Sequence, residues 1–311
     1  MDSKRLPEAL SRLVVQISES YPVAALQAKL AAKRVDLLSP AGAHPVVVSL
    51  LAKLRADKKL SGVQLVVVAT GREAEDVAAT LRSLDPNAEI LEFPSWETLP
   101  HERLSPSPET VGRRLKVLHR LNSLANATPQ PEHAVYVLAS VRAVLQPVVA
   151  GLGEHPALKL IPGNDYLLPE LNLKLVELAY ERVDMVTRRG EFATRGGILD
   201  VFPPLAGHPV RIDFFGDDID EIREFSIADQ RSLADVKSIE ASAVREILLT
   251  PEVRARAAKL AERVPSLRSL AEPISEGIAV PGMESLLPAL VDEVVPLISF
   301  FPENATVIVV G

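Results

Sequence analysis

The sequence predicts an α/β protein in which a domain built on a parallel sheet contains a small inserted α+β domain. Through residues 1–144, apolar strand-like runs alternate with periodic helix-like segments. Through residues 145–230 the pattern changes to short strands separated by glycine turns, and helices return in residues 231–311. A chain of 311 residues is long for one hydrophobic core, so we expect two or three domains.

The first zone, residues 1–144, contains short apolar strands that are each followed by a helix. The predicted strands are Val35–Ser39, Leu65–Ala69, Ile90–Phe93 and Val135–Ala139. The predicted helices are Leu10–Leu30, Val46–Lys58, Glu73–Leu84 and Glu109–Leu124. Alternation of this kind implies parallel strands joined by crossover helices.

The second zone, residues 145–230, is expected to be a small β-rich domain that begins with a helix at Glu170–Ala179. The predicted strands are Asp184–Thr187, Glu191–Ala193, Ile198–Phe202, Val210–Phe215 and Glu221–Phe225. Gly207 and Gly216-Asp217 mark turns between these strands. The stretch RRGEFATRGGILDVFPP, residues 188–204, has the pattern of a hairpin but contains three arginines.

The third zone, residues 231–311, predicts helices at Pro251–Arg263 and Met283–Leu290 and a final strand at Thr306–Val310. An apolar parallel strand needs neighbours on its sheet. We therefore expect this chain to be part of a longer protein.

Composition limits the classes of function. The net charge of −7 argues against strong, general binding of nucleic acid. The absence of cysteine excludes disulfides and thiolate metal sites and fits a cytoplasmic protein. No apolar run approaches 18 residues, so we expect no membrane partner.

A phosphate-binding Walker A loop would be the natural motif of such an α/β domain, because its glycines and lysine hold the nucleotide phosphates. The segment Ser39–Pro45 has one glycine, no lysine and two prolines. A second turn, Ala69–Glu73, opens a helix and either binds an anion or is a plain strand-to-helix turn with Thr70 as the N-cap; the second interpretation is favoured. Histidine spacing fits no metal site and no nucleophile elbow is present, so the sequence predicts neither a catalytic site nor a cofactor.

A proline-rich loop and helix, FPSWETLPHERLSPSPETVGRRL at residues 93–115, contains Trp96, the single tryptophan. It is either a positioned binding loop or a crossover segment anchored on the core by Phe93, Trp96 and Leu99. The second interpretation is favoured.

Three stretches together resemble a known family. They are FPSWETLPHERLSPSPETVGRRL, RRGEFATRGGILDVFP and VRIDFFGDDIDEIREFSIADQRSL. They resemble the N-terminal part of bacterial transcription-repair coupling factors, a region similar to UvrB of nucleotide excision repair. The resemblance covers residues 35–311 and is strongest in residues 187–233.

The resemblance implies a division into domain 1A (residues 1–144), domain 2 (145–230) and domain 1B (231–311), with domain 1B packing on domain 1A. It also implies that domain 1A is a degenerate RecA-like, P-loop-like domain whose Walker loop has been lost, in agreement with Ser39–Pro45. Domain 2 would bind UvrA. The DNA-translocating motor and the module that binds RNA polymerase would lie further along the full-length protein.

The resemblance and the residues together select a partner-binding surface in domain 2. Arg195 lies beside Gly196-Gly197, where the backbone can bend, and Arg182 precedes the first strand. Arginine suits planar contacts with carboxylates and is enriched in interface hot spots. By motif match, Arg182 and Arg195 are the predicted contact residues, with Arg189 and Phe192 as their neighbours. Alternatively, these arginines form weak surface salt bridges with acids of their own domain, such as Glu181 or Asp184.

Three functions remain open. The favoured one is a non-catalytic module that recruits UvrA to a stalled transcription site. The alternative is a DNA-binding or nucleotide-hydrolysing subunit like UvrB itself, against which stand the missing Walker loop and the acidic net charge. In the third, another part of the full-length protein masks the same surface of domain 2. For the chain alone we expect weak DNA binding or none.

Overall fold

A computed structural model gives the fold of residues 5–19, 34–57, 62–99, 102–127 and 131–311, together with residues 23, 26, 28, 29 and 32. The chain divides into two compact units. The first unit comprises Met1–Ser95, Arg120–Pro147 and Pro296–Gly311, and the second comprises Trp96–His119 and Val148–Val295. Most of the second unit is therefore inserted between two segments of the first. This division is coarser than the three predicted domains, whose boundaries at residues 144 and 230 stay a prediction.

The first unit is built on a parallel sheet with the strand order β14-β1-β3-β2. Its strands are β1 (Val63–Val68), β2 (Glu89–Phe93), β3 (Val135–Ser140) and β14 (Thr306–Val309). All three pairings are parallel. Every residue of β1 and β3 is buried, which explains why both strands are nearly continuous apolar runs. The parallel sheet predicted from the sequence is confirmed.

Helices complete the first unit. They are α1 (Arg5–Ser18), α2 (His44–Asp57), α3 (Gly71–Leu84), the end of α4 (Pro108–Ala125) and α5 (Val141–Leu145). The side chains of Val48 on α2 and Leu81 on α3 pack in one core with Val66 and Leu138 of the sheet. Thr70 caps α3, because its hydroxyl accepts a hydrogen bond from the Glu73 amide at 3.2 Å. The predicted strand-to-helix turn is thus confirmed.

Two sequence predictions in this unit need revision. Residues 35–39 form no strand, and Leu37 and Leu38 are exposed rather than buried in the sheet. The predicted helix Leu10–Leu30 overlaps α1, which ends at Ser18, and most of the remainder lies outside the described residues. Lys58, the predicted end of the next helix, also lies outside them.

The second unit contains a six-stranded sheet in the order β11-β10-β9-β8-β7-β6. Its strands are β6 (Glu181–Arg182), β7 (Glu191–Arg195), β8 (Ile198–Val201), β9 (Val210–Phe215), β10 (Asp218–Phe225) and β11 (Ser232–Asp235). Neighbours pair antiparallel except β6 and β7, which pair parallel. The insertion of an α+β element into an α/β chain is confirmed. The predicted strand Asp184–Thr187 is wrong, because the sheet residues are Glu181–Arg182 instead.

The remaining elements of the second unit include two small strand pairs and four α-helices. The antiparallel pairs are β5 (Leu158–Leu160) with β12 (Ile239–Ala241) and β4 (Val148–Val149) with β13 (Val294–Val295). The helices are α6 (Leu168–Glu177), α7 (Pro251–Arg263), α8 (Arg268–Ser275) and α9 (Leu287–Leu290). The predicted helix Pro251–Arg263 is confirmed, whereas the predicted helix Met283–Leu290 is a 3-10 turn followed by α9.

The proline-rich loop enters the core of the second unit at Trp96. This side chain packs in a buried apolar cluster with residues of α7, α8 and α9. Its indole Nε1 donates a hydrogen bond to Glu246 at 2.9 Å, and the Arg114 guanidinium of α4 pairs with the same carboxylate at 2.5 Å. Phe93 is buried but Leu99 is exposed, so two of the three predicted anchors of the loop are confirmed. None of the helices among the described residues is long and apolar enough to cross a membrane.

Candidate partner-binding surface

The hairpin β7–β8 is the centre of the predicted surface. Phe192 faces Val201 across the hairpin and Arg195 faces Ile198. Gly196 adopts a φ of +58° in the turn, a conformation that favours glycine. The glycine pair therefore closes the hairpin as predicted and leaves Arg195 as the last residue of its strand.

Arg195 and Arg182 lie together at one edge of the sheet. The Nη2 atom of Arg195 donates a 2.7 Å hydrogen bond to the backbone carbonyl of Asp184, which holds the side chain beside the segment that follows β6. Arg182 is exposed on β6, the edge strand, and is the register partner of Phe192. A groove of about 770 Å³ opens here, lined by Arg182, Val183, Asp184, Met185, Thr194 and Arg195. The structure thus brings both predicted contact arginines to one groove.

Neither arginine is used in an internal ion pair with another described residue. Arg195 contacts the carbonyl of Asp184 rather than its carboxylate, and no carboxylate of the described residues pairs with Arg182. The alternative of weak salt bridges with Glu181 or Asp184 is therefore not seen in this conformation. Most of the hydrogen-bond donors of both guanidinium groups stay available to a partner.

Other arginines of the same sheet are already paired. Arg211 makes two hydrogen bonds to Asp200, at 2.7 and 2.8 Å, and these raise the pKa of Arg211. Arg223 binds Asp213 at 2.6 Å, and that hydrogen bond raises the pKa of Arg223. These pairs run across β8, β9 and β10 and hold the sheet together. The contrast sets Arg182 and Arg195 apart as the candidates for a partner.

The two predicted neighbours are less exposed than Arg182 and Arg195, and Arg189 is half-buried. Arg189 donates to the carbonyl of Ala206 at 2.9 Å, and its guanidinium lies 5.0 Å from the centre of the Phe202 ring. Phe192 is fully buried. Phe192 supports the hairpin from within, so any part that it has in partner binding would be indirect, whereas the Arg189 guanidinium is held against Ala206 and Phe202. The assignment of a binding role to all four residues stays a prediction.

Sequence reasoning missed Phe215, which is 82 % exposed at the end of β9. The signal was available, because Phe214 and Phe215 are adjacent in a strand and successive side chains point to opposite faces. Only one of two adjacent phenylalanines can face the core of a one-sided sheet. The Phe214 amide donates to the Gly197 carbonyl at 2.8 Å, which fixes this strand end beside the turn of the β7–β8 hairpin.

In the first unit, the segment that would correspond to a Walker loop forms a short 3-10 turn at Ala41–Ala43. The Ala43 amide donates to the Pro40 carbonyl at 2.8 Å, and the His44 amide donates to the Ala41 carbonyl. Pro40 and Pro45 have no amide proton. Four of the six positions from 40 to 45 therefore have no free backbone amide to offer a phosphate.

Comparison with known proteins identifies the region that contains the groove. The family model of the UvrB interaction domain matches residues 158–246. A transcription-repair-coupling factor of Mycobacterium bovis is 48% identical over 290 residues, which are 89% of this chain. The chain belongs to the transcription-repair-coupling factor family. Transcription-repair-coupling factors of Bacillus subtilis, 35% identical over 185 residues, and of Escherichia coli, 28% identical over 228 residues, cover 60% and 71% of the chain.

The match spans about a fifth of the length of these transcription-repair-coupling factors. The aligned residues are 23% of the Mycobacterium bovis protein, 15% of the Bacillus subtilis protein and 19% of the Escherichia coli protein. The interaction-domain match extends from β5 to Glu246 and includes the whole six-stranded sheet. All four predicted contact residues and Phe215 lie inside it.

Proposed function

We propose that this chain is the module through which a transcription-repair-coupling factor binds UvrA and so brings nucleotide excision repair to a stalled RNA polymerase. The observation that carries the proposal is the groove at the edge of β6 and β7. It lies inside the region that matches the UvrB interaction domain, and it presents two exposed arginines, Arg182 and Arg195, that have no carboxylate partner among the described residues.

The proposed partner surface is acidic. Guanidinium groups bind carboxylates in planar, two-bonded contacts, and charges of this kind raise the association rate as well as specificity. The net charge of the chain is −7, so attraction would have to come from this local pair of cations rather than from the protein as a whole. Localised charge of this sort favours a specific protein partner.

We further propose that the chain itself is not an enzyme. The Ala43 and His44 amides are bonded within the 3-10 turn, and Pro40 and Pro45 have none. These features support the interpretation of the first unit as a degenerate RecA-like domain. The ATP-dependent translocase activity and the contact with RNA polymerase would belong to other regions of the full-length protein. Direct DNA binding by this chain would be weak, because the net charge is negative.

The test is a double substitution, Arg182→Ala with Arg195→Ala, assayed for UvrA binding by titration calorimetry. Loss of charged interface contacts of this type costs roughly 2–5 kcal/mol, so we expect the affinity to fall about thirty-fold or more. The melting temperature should stay nearly unchanged, because substitution of exposed arginines alters stability by no more than about 0.5 kcal/mol.

A matched control is Arg231→Ala. Arg231 is on the same sheet module, next to β11 at the opposite edge, and its side chain is 84% exposed. This variant should bind UvrA as the unchanged protein does. Full binding by the double variant would show that the two arginines are merely exposed to solvent and do not contact UvrA. Loss of binding together with several degrees of melting temperature would assign them to the fold instead.

A further inference from the structure

The end of the six-stranded sheet carries an apolar patch next to the arginine groove. Phe215 is 82% exposed and Ile198 is 37% exposed. Burying a phenylalanine side chain is favourable by roughly 1.5–3 kcal/mol, so a side chain this exposed is unusual in a strand. Aromatic side chains and arginines together are the residue types that dominate interface energetics.

The strand register places this patch on the same face of the sheet as Arg195. Arg195 is paired with Ile198, and Ile198 is paired in turn with Asp213. Directly opposed residues point to the same face, and so does a residue two positions further along a strand. Phe215 is two residues beyond Asp213, so Arg195, Ile198 and Phe215 share one face at one end of the sheet.

The distances suit a single interface. Arg195 is on β7 and Phe215 is on β9, two strands apart, which corresponds to roughly 10 Å across the sheet. The hydrogen bond from Phe214 to Gly197 keeps the two strand ends together. Asp213, the acidic residue between them, is paired with Arg223 at 2.6 Å and does not cancel the charge of Arg195.

The groove alone is too small for a stable complex. Specific protein interfaces bury roughly 800 Å² on each partner and involve about 20–30 residues a side. Six residues line the groove. An interface that includes the groove must therefore extend onto neighbouring surface. The apolar patch adjoins the groove at Arg195 and supplies such a surface.

We infer that Phe215 and Ile198 form the apolar anchor of the same interface, seated in an apolar pocket of UvrA whose rim presents a carboxylate to Arg195. This inference rests on the proposed function and adds residues and a pocket chemistry to it. Phe215 supplies the buried contact area, and Arg195, on the same face, orients the partner around it.

The test is Phe215→Ser in the 311-residue chain, with UvrA affinity measured by titration calorimetry and fold stability by thermal melting. We expect the affinity to fall at least tenfold with an unchanged melting temperature, since the side chain is exposed. Phe215→Tyr, which keeps the ring, should retain most of the affinity.

Leu173→Ser provides the matched control. Leu173 is 70% exposed on α6, and α6 contacts the opposite face of the sheet, where Asn172 accepts a 2.7 Å hydrogen bond from Thr194. This variant should bind UvrA normally. A fall in affinity equal to that of Phe215→Ser would overturn the inference, because the effect would then be one of general surface hydrophobicity.

Two further outcomes separate the inference from the proposed function. If Phe215→Ser binds UvrA fully while the double arginine variant does not, the inference is overturned and the proposed function stands. If sedimentation shows that Phe215→Ser abolishes self-association but leaves UvrA binding intact, the patch joins two copies of the chain and the inference is again overturned. Failure of the unchanged chain to bind UvrA would instead remove the proposed function and the inference with it.

Discussion

Arginine side chains meet three different environments in this chain. Arg182 and Arg195 are exposed at a groove, Arg211 is paired within the sheet, and Arg114 is completely buried. The sequence could place the first two near a hairpin, but it gave no sign that Arg114 would lie in a core. That outcome depends on Glu246, which is 132 positions further along the chain.

The buried pair Arg114–Glu246 gives a prediction at this scale. Both side chains have 0% exposure, and Trp96 also donates to the Glu246 carboxylate. Removal of one partner leaves an uncompensated buried charge, which costs about 3–5 kcal/mol. Arg114→Ala should therefore lower the free energy of unfolding by about this amount in urea denaturation.

Arg113 is a control for that prediction, because it is the adjacent residue on α4. Its side chain is 54% exposed and pairs with Glu109 at helical i,i+4 spacing. Pairs of this type contribute roughly 0.3–0.5 kcal/mol. Arg113→Ala should be nearly neutral, and equal effects of the two substitutions would contradict a special role for the buried pair.

Strands and helices with strong patterns were predictable, and the failures have local causes. β9 was predicted with its observed bounds, because Val210–Phe215 is flanked by turn residues. The strand predicted at Asp184–Thr187 failed because the Glu191 carboxylate accepts hydrogen bonds from the amides of Thr187 and Arg188, at 2.7 and 2.8 Å. Those backbone donors are satisfied by a side chain, so the segment leaves the sheet. The periodicity of the sequence does not reveal that a side chain will bind these backbone amides.

Prediction of the candidate site from the sequence meets the same limit. The hairpin and its glycine turn follow from local sequence, and both predicted contact arginines reach one groove. The position of the half-buried Arg189 side chain depends on the Ala206 carbonyl and the Phe202 ring, which follow β8. Contacts made by returning chain segments cannot be derived from alternation within one strand.

Glu191 provides the prediction at the scale of the element. Glu191→Ala would leave the amides of Thr187 and Arg188 without their acceptor, and hydrogen bonds to a charged group contribute about 1.5–3 kcal/mol each. We expect faster hydrogen exchange at both amides. UvrA affinity should also weaken, because the loosened segment includes the Asp184 carbonyl that holds Arg195.

Glu191→Gln is the conservative counterpart, since its side-chain carbonyl oxygen can still accept hydrogen bonds from both amides but carries no charge. It should retain more protection at both amides than Glu191→Ala does. Unchanged exchange rates in Glu191→Ala would show that the segment is held by other contacts.

At the scale of the whole molecule, two units of different architecture divide the chain. The first unit keeps a four-stranded parallel sheet with helices around it, a frame that elsewhere supports phosphate-binding loops. The second unit contains the antiparallel sheet with the candidate surface. The chain thus combines a parallel α/β unit with a second unit that carries the candidate surface.

The consequence for nucleotide is a prediction about the whole chain. ATP with magnesium should not stabilise it, because Ala43 and His44 already use their amides within the 3-10 turn and Pro40 and Pro45 have none to offer. A ligand at 100 times its dissociation constant would add about 2.7 kcal/mol to the free energy of unfolding. Such an increase would appear as a higher melting temperature in a thermal scan, and we expect none at millimolar ATP and magnesium. A UvrB-type protein with an intact Walker loop, measured in the same buffer, should show the shift. A clear shift for this chain as well would mean that the parallel sheet still holds a nucleotide at another loop.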